Sequence, residues 1–161
     1  MHTVPTLIGT ALIAVTLAAA PGGTVSSPTA AEYAAGVTQI CHGAVLFEGA
    51  QPMGTRADAL SIAQNIKAST ARRLVRVRAL AVPPSLARLS SRWISSQRRL
   101  AALYAQLWVR IFDTIDTAHT PAQIAALADR LHRLVAAPDA LKHAAWRLER
   151  ALHVPDCTGG G

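Results

Sequence analysis

Acid–base or metal chemistry in this chain would have to draw on His42, Glu48, Asp113, Asp116, His119, Asp129, His132, His143 and His153. Asp113, Asp116 and His119 recur at three-residue steps, so adjacent pairs meet on a helix. A metal ion needs a third or fourth ligand converging on such a pair. The sequence offers none beside them, and the solvated end of a helix gives the same spacing. Neither a metal nor a cofactor is expected. Cys41-His42 lacks the upstream cysteine of a haem-attachment motif, and the other histidines share no face. There is no glycine-rich phosphate loop and no serine-nucleophile motif. The serines of Ser90-Ser91-Arg92-Trp93-Ile94-Ser95-Ser96 read as small residues that let helices approach closely. The reading leans away from an enzyme. A helical enzyme that grips an anionic substrate with arginines from several helices needs no motif, and it stays open as an alternative.

The arginines are the better lead. The net charge is +7, and it is unevenly placed. From Ala59 through Phe112 there is no acidic residue, while Lys67, Arg72, Arg73, Arg76, Arg78, Arg88, Arg92, Arg98, Arg99 and Arg110 fall there. Arg72, Arg76, Arg88, Arg92 and Arg99 are the candidate anion-binding set, because a tip of one sign attracts anions. The competing reading is an ordinary solvated face, with Arg76 and Arg78 favoured by the dipole at a helix end. Tyr104, Trp108 and Phe112 repeat at four-residue steps. They form either a core stripe or the lining of an apolar pocket between helices.

Positioning these groups falls to helices. Alanine is the commonest residue and enters helices without loss of side-chain entropy, whereas aromatics are only 4% of the 161 residues. The class is all-α: a small bundle of about five helices with a long central third helix. The first helix spans about 31–48 and ends at the Gly49–Gly54 break. The second runs from the Thr55 cap, with Asp58 three positions on, to about Ala81. Its seam is read as positions 60, 63, 67, 70, 74, 77 and 81, interrupted by Lys67 and Thr70. Pro83-Pro84 stops it. Ser85 opens the third helix, whose Leu86, Leu89, Trp93, Ser96, Leu100, Leu103, Leu107 and Ile111 hold the alternating three-four spacing of a bundle seam. Thr120-Pro121-Ala122-Gln123 begins a fourth helix. Pro138-Asp139 is read as a turn into a fifth, lined by Leu141, Ala145, Leu148 and Leu152.

Leu7 to Ala20 is an uncharged apolar run, too short at about 21 Å to span a membrane's hydrocarbon layer. It reads as a signal peptide over residues 1–20, with cleavage as late as 31. An uncleaved anchor is the other reading. Residues 21–30 form a flexible linker, residues 31–157 the helical domain and residues 158–161 a tail. Export would let Cys41 and Cys157 form a disulfide. If the fourth and fifth helices formed one rod antiparallel to the third, that rod would end beside Pro83-Pro84. Cys41 would then lie about 25 Å away. Bridged cysteines need Cα atoms within about 7 Å. A hairpin at Pro138 is therefore expected.

The short signal, Tyr33 through Ile40-Cys41, the Val82-Pro83-Pro84 break before a long helix, and Val154-Pro155-Asp156-Cys157 together resemble exported, uncharacterised helical proteins of actinobacteria. The resemblance implies location in the cell envelope or exterior and no activity. The leading expectation is a non-enzymatic protein binding anionic lipid, an envelope polymer or another exported protein through its basic hairpin tip. Nucleic acid is disfavoured by location and by the lack of aromatics among the arginines. A carrier or sensor using the Tyr104–Trp108–Phe112 stripe is the alternative.

Overall fold

The computed structural model describes residues 26–42, 54–154 and 157. The apolar run Leu7–Ala20, Glu48, positions 49–53 of the break after it and the tail at 158–161 lie outside them. The described residues form five α-helices: α1 (Ala30–His42), α2 (Arg56–Arg78), α3 (Ala87–Asp116), α4 (Pro121–Ala125) and α5 (Leu127–Ala151). No strand occurs among the described residues.

Three of the helices start on reciprocal caps. The Thr55 hydroxyl accepts from the Asp58 amide at 3.2 Å while Asp58 Oδ2 accepts from the Thr55 amide at 2.8 Å, which satisfies two otherwise orphaned donors. Thr120 and Gln123 do the same for α4. Thr29 and Glu32 do so for α1, a box hidden in the stretch read as linker. The expected N-cap at Ser85 is replaced by a single 3-10 turn, Pro84–Leu86, closed by the Leu86 amide on the Pro83 carbonyl at 2.9 Å.

The 30-residue α3 is the axis of the bundle. α2 packs on one flank through the short Pro83-Pro84 connection, and α5 packs on the other. Contact between Trp93 and Glu149 places the end of α5 beside the start of α3, so the two are antiparallel. α1 closes the tip-proximal end. Tyr33, Val37 and Ile40 pack with Leu74, Val77, Trp93, Ile94, Leu152 and Val154 in one buried cluster, with Leu80 and Leu86 at its edge. Gly36 lets α1 press in, since a Cβ there would stand 3.1 Å from Leu80 Cδ1.

Two sequence expectations are corrected. α5 runs unbroken through Pro138, and the chain breaks at Ala126 instead, between α4 and α5. Proline removes one helical hydrogen bond. Here both sides of it keep their apolar stripe against α3, and Pro138 is itself buried, so packing outweighs the lost bond. The disulfide conflict that argued for a hairpin disappears because α1 does not lie beside the start of α2. It sits against the second half of α2, which brings Cys41 to the end of α5. Cys41 and Cys157 are bonded, with Cα atoms 5.0 Å apart.

The seam of α2 holds at Ala63, Thr70, Leu74 and Val77 and shifts elsewhere: Ala59, Ile66 and Arg73 are buried, while Leu60, Lys67 and Ala81 face solvent. The α3 seam falls where it was read through Trp93, Ser96, Leu100 and Leu107, and it widens to include Ser90, Ile94, Gln97, Ala101 and Ala105.

Candidate functional site

A polar relay crosses the tip-proximal core and joins three helices to the C-terminal cysteine. Arg73 of α2, 4% exposed, donates from Nη1 to the Cys157 carbonyl at 2.9 Å and from Nη2 to Gln97 Oε1 at 3.1 Å. Gln97 of α3 passes the chain on, donating from Nε2 to Glu149 Oε1 at 3.1 Å. The same oxygen accepts from Trp93 Nε1 at 3.3 Å. Glu149 of α5 is 3% exposed. Burial lowers the Arg73 guanidinium's pKa, and the Glu149 carboxylate works in the opposite direction. Two opposite charges thus sit in the core with a neutral amide hydrogen-bonded to both.

The geometry of α5's end seats this relay. His153 adopts φ 55°, the left-handed conformation that ends helices. The Val154 amide then returns to the Glu149 carbonyl at 2.9 Å and the His153 amide to Arg150 at 3.1 Å. That turn points Val154 into the core and carries the chain back toward α1, where Cys157 meets Cys41. Nearby, the Tyr33 hydroxyl and Ser90 Oγ share a hydrogen bond of 2.5 Å, fixing α1 to the start of α3.

Around this closed core the arginines turn outward. Arg72, Arg76, Arg88, Arg92 and Arg99 are all exposed, as are Lys67, Arg78, Arg98 and Arg110. Arg72 and Arg76 stand one turn apart on α2, while Arg88, Arg92 and Arg99 share the α3 face opposite its buried seam. Among the described residues, none of these cations has an acidic partner within ion-pair distance. At the other end of the bundle Arg56 is paired, donating to Asp113 at 3.0 Å. Arg73 is the exception within the basic stretch. It belongs to the acid-free stretch but not to the candidate anion-binding set, and its place three after Thr70 and beside Leu74 puts it on the buried arc. Gln97, four after Trp93, and Glu149, four after Ala145, carry the same signal: polar residues at seam positions of three successive long helices.

Tyr104, Trp108 and Phe112 are half-buried along α3. Tyr104 looks toward α5, where burial first and the Asp139 charge second raise its phenol's pKa. Further along α5, Lys142 Nζ lies 4.7 Å over the Trp146 ring and His143 meets that ring edge-on. Among the described residues no three His, Cys, Asp or Glu side chains group as a metal site requires. Of the Asp113, Asp116 and His119 set, Asp113 is taken by Arg56. No described helix is long and apolar enough to cross a membrane. Comparison with protein-family models, with curated proteins and with solved structures gave no match.

Proposed function

We propose that this is an exported, non-enzymatic binding module that docks on anionic surfaces, such as acidic lipid headgroups or envelope polymers, through its arginine tip. One observation carries the reading. The arginines of the acid-free stretch, Arg73 apart, are exposed and unpaired among the described residues, whereas the inward Arg73 is occupied by a backbone carbonyl and a glutamine. Arginines serving a helical enzyme would converge inward on a substrate. These spread over the outer faces of two antiparallel arms, as suits a charged sheet or polymer. The apolar run Leu7–Ala20 supports delivery to the envelope or exterior, where such surfaces are found.

Vesicle co-sedimentation tests the proposal. Vesicles containing anionic lipid retain the protein at low salt and release it as ionic strength passes the physiological range, where the screening length is about 8 Å. A variant with Arg72, Arg76, Arg88 and Arg92 changed to Gln is compared with one in which Arg130, Arg133, Arg147 and Arg150 are changed to Gln. All eight side chains are exposed, and both variants lose four charges. At about 1 kcal/mol per residue near the surface, the first variant loses roughly a thousand-fold in affinity and the second far less. Equal losses would mean that net charge alone acts. Absence of binding by the parent at low salt would leave the arginines as a solvated face.

A further inference from the structure

We infer that the partner of the basic tip is a phospholipid bilayer, and that the uncharged turn between Arg78 and Arg88 seats in its interface. The inference rests on the proposed function and narrows it from anionic surfaces in general to lipid. Residues 79–87 carry no charge, and Ser85 alone among them has a polar side chain. Ala79, Ala81, Pro84 and Ala87 are exposed. Val75, one turn before Ala79 on the same face, is 66% exposed, the highest value for a large apolar side chain among the described residues. A turn facing water usually mixes proline with Gly, Asn, Asp or Ser, whereas the outward residues here are mostly alanine and proline. Around them stand Arg76 and Arg78 on the α2 arm and Arg88 and Arg92 on the α3 arm, all exposed.

An apolar centre with a collar of cations matches the layering of a lipid interface. The small apolar residues enter at the boundary of headgroups and acyl chains, while arginine stems lie along that boundary and their guanidinium groups meet phosphate. All four collar residues are arginine, whose planar fork takes phosphate with two hydrogen bonds. Glu32, brought to this end by the hydrogen bond of Tyr33 with Ser90, holds its carboxylate on Thr29 rather than on an arginine. The backbone fits as well, since main-chain groups resist leaving water unless they are bonded. Pro83 and Pro84 have no amide, and the amides of Ala79, Leu80, Leu86 and Ala87 are bonded within the chain. Leu80, Val82 and Leu86 pack against the buried cluster and fix the turn beforehand, so seating it needs little further ordering. An acidic polymer would use the arginines and leave the apolar centre without a contact.

Depth-dependent fluorescence quenching tests this on the whole protein. Tryptophan is introduced at the tip by Val75→Trp or Ala81→Trp, and away from it by Ala57→Trp, about 27 Å along the same helix from Val75. All three positions are exposed. The vesicles combine phosphatidylglycerol with phosphatidylcholine brominated on its acyl chains. With the protein bound, the emission added by either tip tryptophan is expected to fall by about half or more, and that added by Ala57→Trp to stay unchanged. A second arm keeps the charge and removes apolar surface. Val75→Asn combined with Ala81→Asn is expected to weaken vesicle binding about ten-fold and to leave binding to dextran sulfate beads unchanged. Bound protein whose tip tryptophans escape quenching overturns the inference and leaves charge-driven docking standing. An asparagine variant that binds vesicles as well as the parent also overturns it, and so does a parent that binds dextran sulfate more tightly than vesicles, which assigns the tip to a polymer. A parent that binds no vesicles removes the proposed function and this inference with it.

Discussion

Replacing Glu149 with Leu removes a carboxylate that offsets the buried Arg73 guanidinium. It also takes the acceptor from Gln97 Nε2 and Trp93 Nε1. Each buried donor left without an acceptor costs about 1–3 kcal/mol. Breaking a buried charge pair by removing one member typically costs about 3–5 kcal/mol in all, because the other charge stays buried and uncompensated. Glu149→Leu is therefore expected to lower the unfolding free energy by about 3–5 kcal/mol. Glu149→Gln keeps an acceptor oxygen while losing the charge, and its expected loss is about 1–2 kcal/mol. The decisive variant is the double change of Arg73→Met with Glu149→Leu. With both charges gone the core has little left to compensate, so the double loss should fall short of the summed single losses by about 1–3 kcal/mol. Urea unfolding followed by far-ultraviolet circular dichroism measures all four proteins, with unchanged m-values as the check on two-state behaviour. A Glu149→Leu protein within about 0.5 kcal/mol of the parent, or an additive double variant, would refute the coupling across Gln97.

Further expectations concern helix ends. Asp58 has its pKa lowered by the Thr55 hydroxyl and then the Thr55 amide, so its stabilising effect is present above the unfolded value and fades as pH falls through the folded one. Amides in the first turn of α2 should lose exchange protection below about pH 4, and Asp58→Ala should abolish that dependence; protection indifferent to pH would refute the cap's role. Glu32 has its pKa lowered in the same direction by Thr29, so the first turn of α1 should behave alike. His153→Gly should raise stability by about 0.5–1 kcal/mol in thermal melts, since glycine alone adopts φ 55° without a steric penalty. A loss of stability there would mean that the histidine side chain, rather than the turn, holds the segment.

Much of the secondary structure was legible locally because its causes are local. Prolines at 83 and 84 deny amides to the preceding helix, and Thr120-Pro121-Ala122-Gln123 starts one by its own hydrogen bonds. The sustained spacing along α3 identified the central helix, since a 30-residue helix repeats its seam often enough to be unmistakable. The acid-free arginine stretch was equally plain from composition. That Cys41 and Cys157 could pair needed only their number and an oxidising location.

What the residues alone left undecided were matters of phase and level. Whether Arg73 faces water or core depends on how α2 turns to meet α3: Ala63, Thr70, Leu74 and Val77 keep their places in the seam, while Ala59 and Ile66 are buried in place of Leu60 and Lys67. Arg73 turns inward because Gln97, Glu149 and the Cys157 carbonyl, brought from three other stretches, await it there. Pro138 misled for a related reason. Its local effect is to break a helix, yet burial of the stripe on both sides of it against α3 is the larger energy. The level of α1 against the hairpin set the cysteine geometry, and it rests on the fit of Tyr33 to Ser90 and of Gly36 to Leu80. The sequence by itself determined which segments are helices, where most of them stop and where the charge lies, since each follows from neighbours within a few residues. Only the tertiary structure decided which face each helix buries, because that choice is made by partners distant in the chain.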